Sequence, residues 1–285
     1  MTEFSVENIY YLGPDGSNAH AAMLKFLEKC NINVKNQKPQ KNIRIAIDSL
    51  KQDYSSICVL PIENSIQGIV RETIDNLLKN EDLKIRIQGE ISLPIKHLLL
   101  AKTSDKNEIK KIISHPQALA QCSNNLHKKY NEIELGDVSS TSYAAQKAFE
   151  TEDCSLAAIA NETCAKMFNL NVLDDDLNDE DDNKTRFYLL GRDEIKEKNK
   201  IGKTAVILST KNKSGALCDV LQILKKHDIN LTYIDSRPSK RKLGEYLFFM
   251  ELDGFEHDHK IKLALEELMS YVDFIKNLGS FCVYE

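Results

Sequence analysis

Apolar and polar positions follow two kinds of spacing along the first two thirds of the chain. Short apolar runs at residues 9–12, 57–60 and 112–113 are predicted to be strands. Between them apolar residues recur at helical spacing, first at Ala19, Ala22, Phe26 and Cys30. Further helices are predicted over residues 66–77, 116–130, 141–149 and 161–168. Such alternation is typical of an α/β domain, although the pattern alone does not order the strands.

Residues 41–51 fit either kind of element. Ile43, Ile45 and Ile47 alternate as in a strand, whereas Ile43, Ile47 and Leu50 would share one face of a helix. We favour the helix for this segment.

A charged, polar segment divides the chain. Residues 192–202 are almost entirely charged or polar, end in glycine and follow the apolar run 187–190, so they are predicted to link a first domain, residues 1–191, to a second, residues 203–285. The second domain is predicted to contain strand, helix, two strands, helix and strand, over residues 203–210, 215–227, 229–235, 245–252, 260–271 and 274–283. This βαββαβ order is ferredoxin-like.

Composition narrows the class of protein. Of 285 residues, 42% are hydrophobic and 28% charged, which is ordinary for a soluble globular protein. Residues 1–8 lack an apolar core, so we expect no signal sequence, no membrane partner and a cytoplasmic location. The net charge is −5, and acidic and basic residues are intermixed along the chain, so we do not expect nucleic acid as a partner. Seven cysteines, an odd number without a Cys-x-x-Cys pair, are expected to be reduced thiols.

Four polar turns could hold an anion. Each directly follows an apolar run and precedes a predicted helix, and they lie at residues 13–17, 63–65, 114–116 and 139–141. The first N–H groups of a helix lack internal partners and attract carboxylates, so several converging helix ends would suit a small dianion. The alternative is ordinary capping, because Ser, Thr and Asn are common N-caps and Pro116 suits a first helical turn. His115 likewise fits either catalysis or a structural hydrogen bond.

Other chemistries have little support in the sequence. The segment His257-Asp258-His259 lacks further ligands at a suitable spacing and is interpreted as a solvated turn. Residues 174–182 are acidic but lack the glycine and terminal glutamate of a calcium loop. No Gly-x-Gly-x-x-Gly, Walker or Gly-x-Ser-x-Gly motif is present. We therefore expect neither a metal nor a cofactor.

Five motifs follow one another along the first domain: Tyr11-Leu-Gly-Pro-Asp-Gly, Leu60-Pro-Ile-Glu-Asn-Ser, Ser114-His-Pro-Gln-Ala-Leu-Ala-Gln-Cys, Ser140-Thr141 and Asn183-Lys-Thr-Arg-Phe. In this order they resemble the motifs of prephenate dehydratases. Toward the C-terminus, Gly215-Ala-Leu-Cys and Asn230-Leu-Thr-Tyr-Ile-Asp-Ser-Arg-Pro resemble the regulatory ACT domain of that family. The resemblance covers nearly the whole chain.

The chain departs from the family pattern at a few places. Gly16-Ser17-Asn18 stands for the usual Gly-Thr-Phe, and Ser140-Thr-Ser-Tyr-Ala-Ala for Ser-Thr-Ala-Glu-Ala-Ala. In the ACT part, Asp235 stands where the family has a glutamate and Cys218 where it has a valine. Because the first motif starts within a dozen residues of the terminus, we expect no chorismate mutase domain ahead of it.

The resemblance implies a fold and a reaction. The catalytic domain should be a two-lobed, periplasmic-binding-protein-like α/β fold whose cleft converts prephenate to phenylpyruvate, CO₂ and water without a cofactor. Thr185 would be the essential hydroxyl that assists the departing oxygen, and Arg186 would either bind a substrate carboxylate, which we slightly favour, or brace its loop. The substrate-binding candidates are Asn64, Ser65, Ser114, His115, Gln117, Ser140, Thr141, Asn183 and Phe187, the last packing beneath the site.

The resemblance also implies regulation. L-Phenylalanine would bind between paired ACT domains, in a homodimer or homotetramer, and bias closure of the lobes. The candidate residues for this site are Gly215, Ala216, Leu217, Asn230, Leu231, Thr232, Asp235 and Ser236. Two alternatives stay open from the sequence: a non-catalytic binding protein for small acids, and an arogenate dehydratase.

Overall fold

The computed structural model describes residues 4–79, 84–192, 201–239 and 245–284. Residues 193–200 of the predicted linker lie outside these ranges. The helices are α1 (Asn18–Lys29), α2 (Ile43–Gln52), α3 (Arg71–Lys79), α4 (Pro116–Gln121), α5 (Ser123–Tyr130), α6 (Thr141–Glu150), α7 (Glu162–Phe168), α8 (Ala216–Lys226) and α9 (His259–Tyr271). The strands are β1 (Phe4–Leu12), β2 (Ile32–Gln40), β3 (Ile57–Asn64), β4 (Gly68–Ile69), β5 (Arg86–Pro94), β6 (Leu98–Ala101), β7 (Lys111–Ser114), β8 (Glu134–Asp137), β9 (Leu156–Ala160), β10 (Asn171–Asp174), β11 (Lys184–Gly191), β12 (Gly202–Thr210), β13 (Leu231–Pro238), β14 (Tyr246–Asp253) and β15 (Val272–Tyr284).

The first lobe is built on the strand order β5-β11-β3-β1-β2. β1 is parallel to β2 and β3, whereas β11 is antiparallel to both β3 and β5. Residues 57–60 of β3 are buried on both faces, because α1 packs on one side of the sheet and α2 and α3 on the other. The apolar run predicted there is thus a central strand. The segment 41–51, for which we favoured a helix, contains α2 from Ile43 onward.

The second lobe carries its own five-stranded sheet, in the order β10-β6-β9-β7-β8. Its strands β7, β8 and β9 are parallel, and α4 to α7 cover its two faces. The chain crosses between the lobes twice, from β5 to β6 and from β10 to β11. This two-lobed α/β architecture is the one predicted.

The C-terminal module confirms the predicted ferredoxin-like order. Its strands pair as β13-β14-β12-β15, and α8 and α9 pack on one face around Val206, Val220 and Met250. The module is joined to the first lobe, since residues 282–284 of β15 pair in parallel with residues 89–91 of β5. One ten-stranded sheet therefore runs through both, with β4 paired to β3 at its side.

Two predicted helices differ from the structure. The helix expected over residues 66–77 begins only at Arg71, because Asn64 Oδ1 accepts hydrogen bonds from the N–H groups of Ile66 and Gln67 and Gly68 has a φ of +77°. The turn at 63–65 is therefore not a helix N-terminus, and that prediction was wrong. The helix expected over 116–130 is interrupted at Cys122, which separates α4 from α5.

Candidate active site

A cleft of about 390 Å³ lies between the two lobes. β3 and β11 of the first lobe and α4 of the second contribute to its walls, and the N-cap residues of α1, α4 and α6, which are Ser17, His115 and Ser140, all line it. Within the described part of the chain, the lining contains no Asp, Glu, Lys or Arg. It consists of Leu12, Gly13, Pro14, Ser17, Asn18, Ala19, Pro61, Asn64, Gln67, Val70, Ile95, His97, His115, Gln117, Ala118, Gln121, Ser139, Ser140, Thr141, Asn183, Thr185 and Phe187.

The Thr185 hydroxyl occupies the first-lobe side of the cleft. Asn64 Nδ2 donates to Thr185 Oγ1 at 2.9 Å and to Asn183 Oδ1 at 2.8 Å. Asn64 itself is oriented because its Oδ1 accepts the two turn N–H groups described above. Since Thr185 Oγ1 accepts from Asn64, its own O–H proton is directed elsewhere and remains available to a group in the cleft.

A second polar chain comes from the other lobe. Gln121 Oε1 accepts a hydrogen bond from Asn183 Nδ2 at 3.3 Å and lies 2.9 Å from His97 Nε2. Burial lowers the pKa of His97 below its ordinary value, while the hydrogen bond with Gln121 acts in the opposite direction. The ring is therefore neutral near pH 7, and the chain joins both lobes without a net charge.

Two of the remaining predicted residues of the second lobe, His115 and Ser140, are helix N-caps. His115 Nδ1 accepts from the N–H of Gln117 at 3.2 Å, and Ser140 Oγ accepts from that of Tyr143 at 3.0 Å. These contacts agree with the capping alternative, yet His115, Gln117, Ser140 and Thr141 still face the cleft. His115 and Ser140 thus both cap a helix and line the cleft.

The loop before α1 fastens the two lobes together. The Ser142 hydroxyl donates to the carbonyl of Asp15, and Asn161 Nδ2 and Cys164 Sγ donate to that of Gly16 at 2.9 and 3.2 Å. Gly16 has a φ of +79°, and a Cβ there would lie 2.7 Å from Ser142 Oγ. The first motif is therefore hydrogen-bonded to the second lobe.

Three predicted residues do not line the cleft. The Ser114 hydroxyl is fully buried and donates to the carbonyl of Ile159, and that of Ser65 donates to the carbonyl of Asp182. Arg186 lies on the opposite face of β11 from Thr185, because successive strand residues point to opposite sides. Its guanidinium binds carboxylates of the protein, so the substrate role that we slightly favoured does not fit this structure.

Sequence reasoning missed several lining residues, among them His97, Gln121 and Gln67. Gln121 carried a usable signal, since it lies four residues after Gln117 and therefore on the same face of α4. No such signal marked His97, because it lies in the segment that crosses between the lobes, and the hydrophobic pattern does not predict the path of that segment. Within the described ranges, no group of three or more His, Cys, Asp or Glu residues is placed to hold a metal ion.

The predicted regulatory residues lie at both ends of α8. Gly215 is its N-cap, with a φ of +78° and open space where a Cβ would be, and Ala216 and Leu217 follow it. Asn230, Leu231 and Thr232 come after its C-terminus, about 16 Å away for a helix of 11 residues. Asp235 and Ser236 lie further along β13. In one chain, therefore, the length of α8 separates Gly215 from Asn230.

Among the helices described, none is long and apolar enough to cross a membrane.

Comparison with known proteins identifies the family. The model of the prephenate dehydratase family matches residues 9–195, and that of the ACT domain matches residues 204–268. A prephenate dehydratase of Methanocaldococcus jannaschii is 40% identical over 235 residues, or 82% of this chain and 84% of the relative. A bifunctional chorismate mutase/prephenate dehydratase of Aquifex aeolicus is 36% identical over 277 residues, or 96% of this chain and 73% of the relative.

A solved structure agrees with these sequence matches. It is the prephenate dehydratase of Arthrobacter aurescens in complex with L-Phe, which superposes with a TM-score of 0.82 at 29% identity and covers 96% of this chain and 90% of its own. The fold, the motif-lined cleft and these matches lead to one conclusion: the chain belongs to the prephenate dehydratase family, whose members are lyases, and carries an ACT domain.

Proposed function

We propose that this protein converts prephenate to phenylpyruvate, CO₂ and water, with residues 1–191 as the catalytic domain and residues 203–285 as the regulatory one. The observation that supports this most is the Thr185 hydroxyl, which faces a cleft of uncharged donors and whose oxygen accepts a hydrogen bond from Asn64. Its proton is thereby free to bond a departing oxygen. The expected setting is the cytoplasm.

The reaction moves charge from one end of the substrate ring to the other. The bond between the ring and its carboxylate breaks, its electron pair enters the ring, and the C–O bond opposite it breaks, so the ring becomes aromatic as CO₂ and the hydroxyl leave. Negative charge develops on the leaving oxygen, where a fixed donor has its largest effect. In this proposal Thr185 donates a hydrogen bond to that oxygen, and the departing hydroxide takes up one proton from solvent to become water.

The two carboxylates of the substrate need partners as well. The helix N-termini capped by Ser17, His115 and Ser140 and the amides of Gln117 and Gln121 supply donors from several directions. Phe187, on the same side of β11 as Thr185, provides an apolar surface for the ring. These residues form the substrate site in our proposal.

The lining favours prephenate over arogenate. Arogenate carries an ammonium group where prephenate has a keto group. The described lining offers helix N-termini and side-chain amides to carboxylates and to a keto oxygen but no carboxylate to an ammonium, so the keto acid fits better. Incubating the purified protein with each substrate and measuring phenylpyruvate and phenylalanine tests this. Phenylalanine from arogenate at the greater kcat/KM would overturn the preference, and no product from either would favour the small-acid binding protein.

We further propose that phenylalanine controls this activity from the ACT domain. Because Gly215 and Asn230 lie at opposite ends of α8, a site that uses both requires a second copy of the chain, as in a homodimer or homotetramer. Thr232 also donates to the backbone carbonyl of Glu251, so a ligand there would contact β14. A coupling of about 1–3 kcal/mol is typical of such control.

Titration calorimetry and sedimentation test this second proposal. Phenylalanine should bind at millimolar concentration or below and lower prephenate turnover, and the protein should sediment as a dimer or larger. A monomer, or the absence of any binding or effect on turnover, would contradict the regulatory proposal while leaving the catalytic one intact.

A further inference from the structure

A buried ion cluster lies behind the cleft, on the far face of β11. It consists of Glu63, Glu90, Arg186, Lys203 and Glu251, three carboxylates and two cations. Arg186 donates through Nε and Nη2 to both oxygens of Glu90 at 3.1 and 2.7 Å, through Nη1 to Glu63 at 2.8 Å and through Nη2 to Glu251 at 2.7 Å. Its guanidinium is thus held from three sides.

The cluster joins the two domains. Glu63, Glu90 and Arg186 belong to β3, β5 and β11 of the first lobe, whereas Lys203 and Glu251 come from β12 and β14 of the ACT domain. Three strands, β12, β15 and β5, separate β14 from β11 in the sheet. Because the side chains of Arg186 and Glu251 are nevertheless in contact, the sheet must curl between β14 and β11.

The two inner carboxylates are almost completely shielded from water. Glu251 has no exposed surface, and Glu90 is 3% exposed. Lys203 Nζ lies 3.0 Å from Glu251 and 3.1 Å from Glu90, and the Tyr188 hydroxyl also donates to Glu251. Burial opposes ionisation of Glu251, but the charges of Arg186 and Lys203 outweigh it, so its pKa lies below the ordinary value. Short charged bonds of this kind fix side chains tightly.

Arg186 directly follows Thr185 on the same strand, so the cluster constrains the backbone that carries the reactive hydroxyl. We propose that Glu251, a residue of the ACT domain, is a positioning residue for the dehydratase reaction, which acts through Arg186 on the place of the Thr185 hydroxyl. This inference rests on the proposed function. A displacement of about 1 Å at a reacting group lowers a rate by roughly 100-fold, so a modest loosening of β11 would be measurable.

The test compares Glu251→Gln with a matched variant, Glu267→Gln. Glu267 is also a paired glutamate of the ACT domain, bonded to Lys226 and His227 at 2.8–2.9 Å, but it lies on α9 and outside the cluster. Steady-state kinetics with prephenate and a thermal melt are measured for both and for the unaltered protein. We expect E251Q to lose roughly 10-fold or more in kcat with KM changed less than about 3-fold. E267Q should keep both constants.

A second variant covers the case in which E251Q does not fold. Lys203→Met combined with Glu251→Gln removes one positive and one negative charge, so neither partner stays buried and unpaired. It should fold and show the same loss in kcat. A wild-type kcat in folded E251Q, or in the folded double variant, would overturn the inference. So would failure of both to fold, which would assign the cluster to stability alone.

The controls separate this inference from the proposed function. An unaltered protein that does not turn over prephenate would remove the proposed function, and the inference with it. An active unaltered protein whose E251Q variant is equally active would remove only the inference.

Discussion

Replacing Thr185 by valine is the most direct test of the cleft chemistry. Valine keeps the β-branched shape but removes the hydroxyl from a side chain that is 8% exposed. Asn64 Nδ2 then loses one acceptor but keeps Asn183 Oδ1 at 2.8 Å and the carbonyl of Lys184 at 3.2 Å. Because no buried donor becomes unpaired, we expect the free energy of unfolding to fall by only about 1 kcal/mol.

The effect on turnover should be much larger. A single donor at a site of developing charge is worth about 10²–10³ in kcat, or about 2.7–4 kcal/mol of activation free energy. The bond between Thr185 and the leaving oxygen strengthens as that oxygen gains charge, so the loss should fall on kcat while KM changes by less than about 3-fold.

The assay is steady-state formation of phenylpyruvate, with a thermal melt of each variant. Thr185→Ser is the matched control, since it keeps the hydroxyl and should retain kcat within about 10-fold. Asn64→Asp tests the orientation, because a carboxylate accepts only and would draw the Thr185 proton to itself. A folded T185V whose kcat stays within about 5-fold of the unaltered protein would refute the role of Thr185.

Three further predictions concern the lobes, pH and the thiols. Gly16→Ala should lower the free energy of unfolding by about 1–2 kcal/mol and raise KM, because its φ of +79° and the contact with Ser142 both oppose a side chain; melts and kinetics check this. Burial lowers the pKa of His97 in the folded state, so the neutral ring contributes fully to the free energy of unfolding above about pH 6.5, and this contribution is lost as the pH falls toward the folded-state pKa. His97→Gln should therefore flatten the pH dependence of the free energy of urea unfolding by at most about 1.4 kcal/mol per pH unit. An unchanged slope would contradict this. Iodoacetamide should label exposed Cys154 and Cys218 in the folded protein and the other thiols only after unfolding, as mass spectrometry would show.

Local features of the fold followed from the sequence where burial imposes a period. α2 was predicted from the shared face of Ile43, Ile47 and Leu50, and these side chains are buried. The start of α3 was not, because Ile66 and Val70 have helical spacing while Asn64 ties the intervening residues into a turn. Apolar spacing does not register such a side-chain bond.

The hydrophobic pattern of the sequence could not predict that β15 pairs with β5 and so joins the two domains. A strand's period tells which face is buried but not which strand lies beside it, and these two are almost 200 residues apart in the chain. For the same reason the sequence did not place His97 in the cleft, since its position depends on how the chain crosses between the lobes.

One feature of the site could have been inferred from the sequence alone, namely which residues of 185–187 share a face. Thr185, Arg186 and Phe187 were all assigned to the substrate, yet three consecutive residues of a strand do not face one side. Once residues 184–191 are taken as a strand, Thr185 and Phe187 share a face and Arg186 faces away. Motif resemblance marked a segment that lines the cleft, and strand geometry divides it into a side that faces the cleft and a side that binds the glutamates.

That division suits a substrate that loses a carboxylate as CO₂. A cation beside the ring carboxylate would stabilise it most in the ground state, before its charge moves into the ring, and so would oppose decarboxylation. Neutral amides and helix ends bind the same carboxylate less strongly. Thr185 lines the cleft, while Arg186 is kept on the other face of β11 by Glu63, Glu90 and Glu251. In the function that we propose, Arg186 therefore holds the strand instead of the substrate, which is the arrangement expected when the transition state and not the dianion is to be bound best.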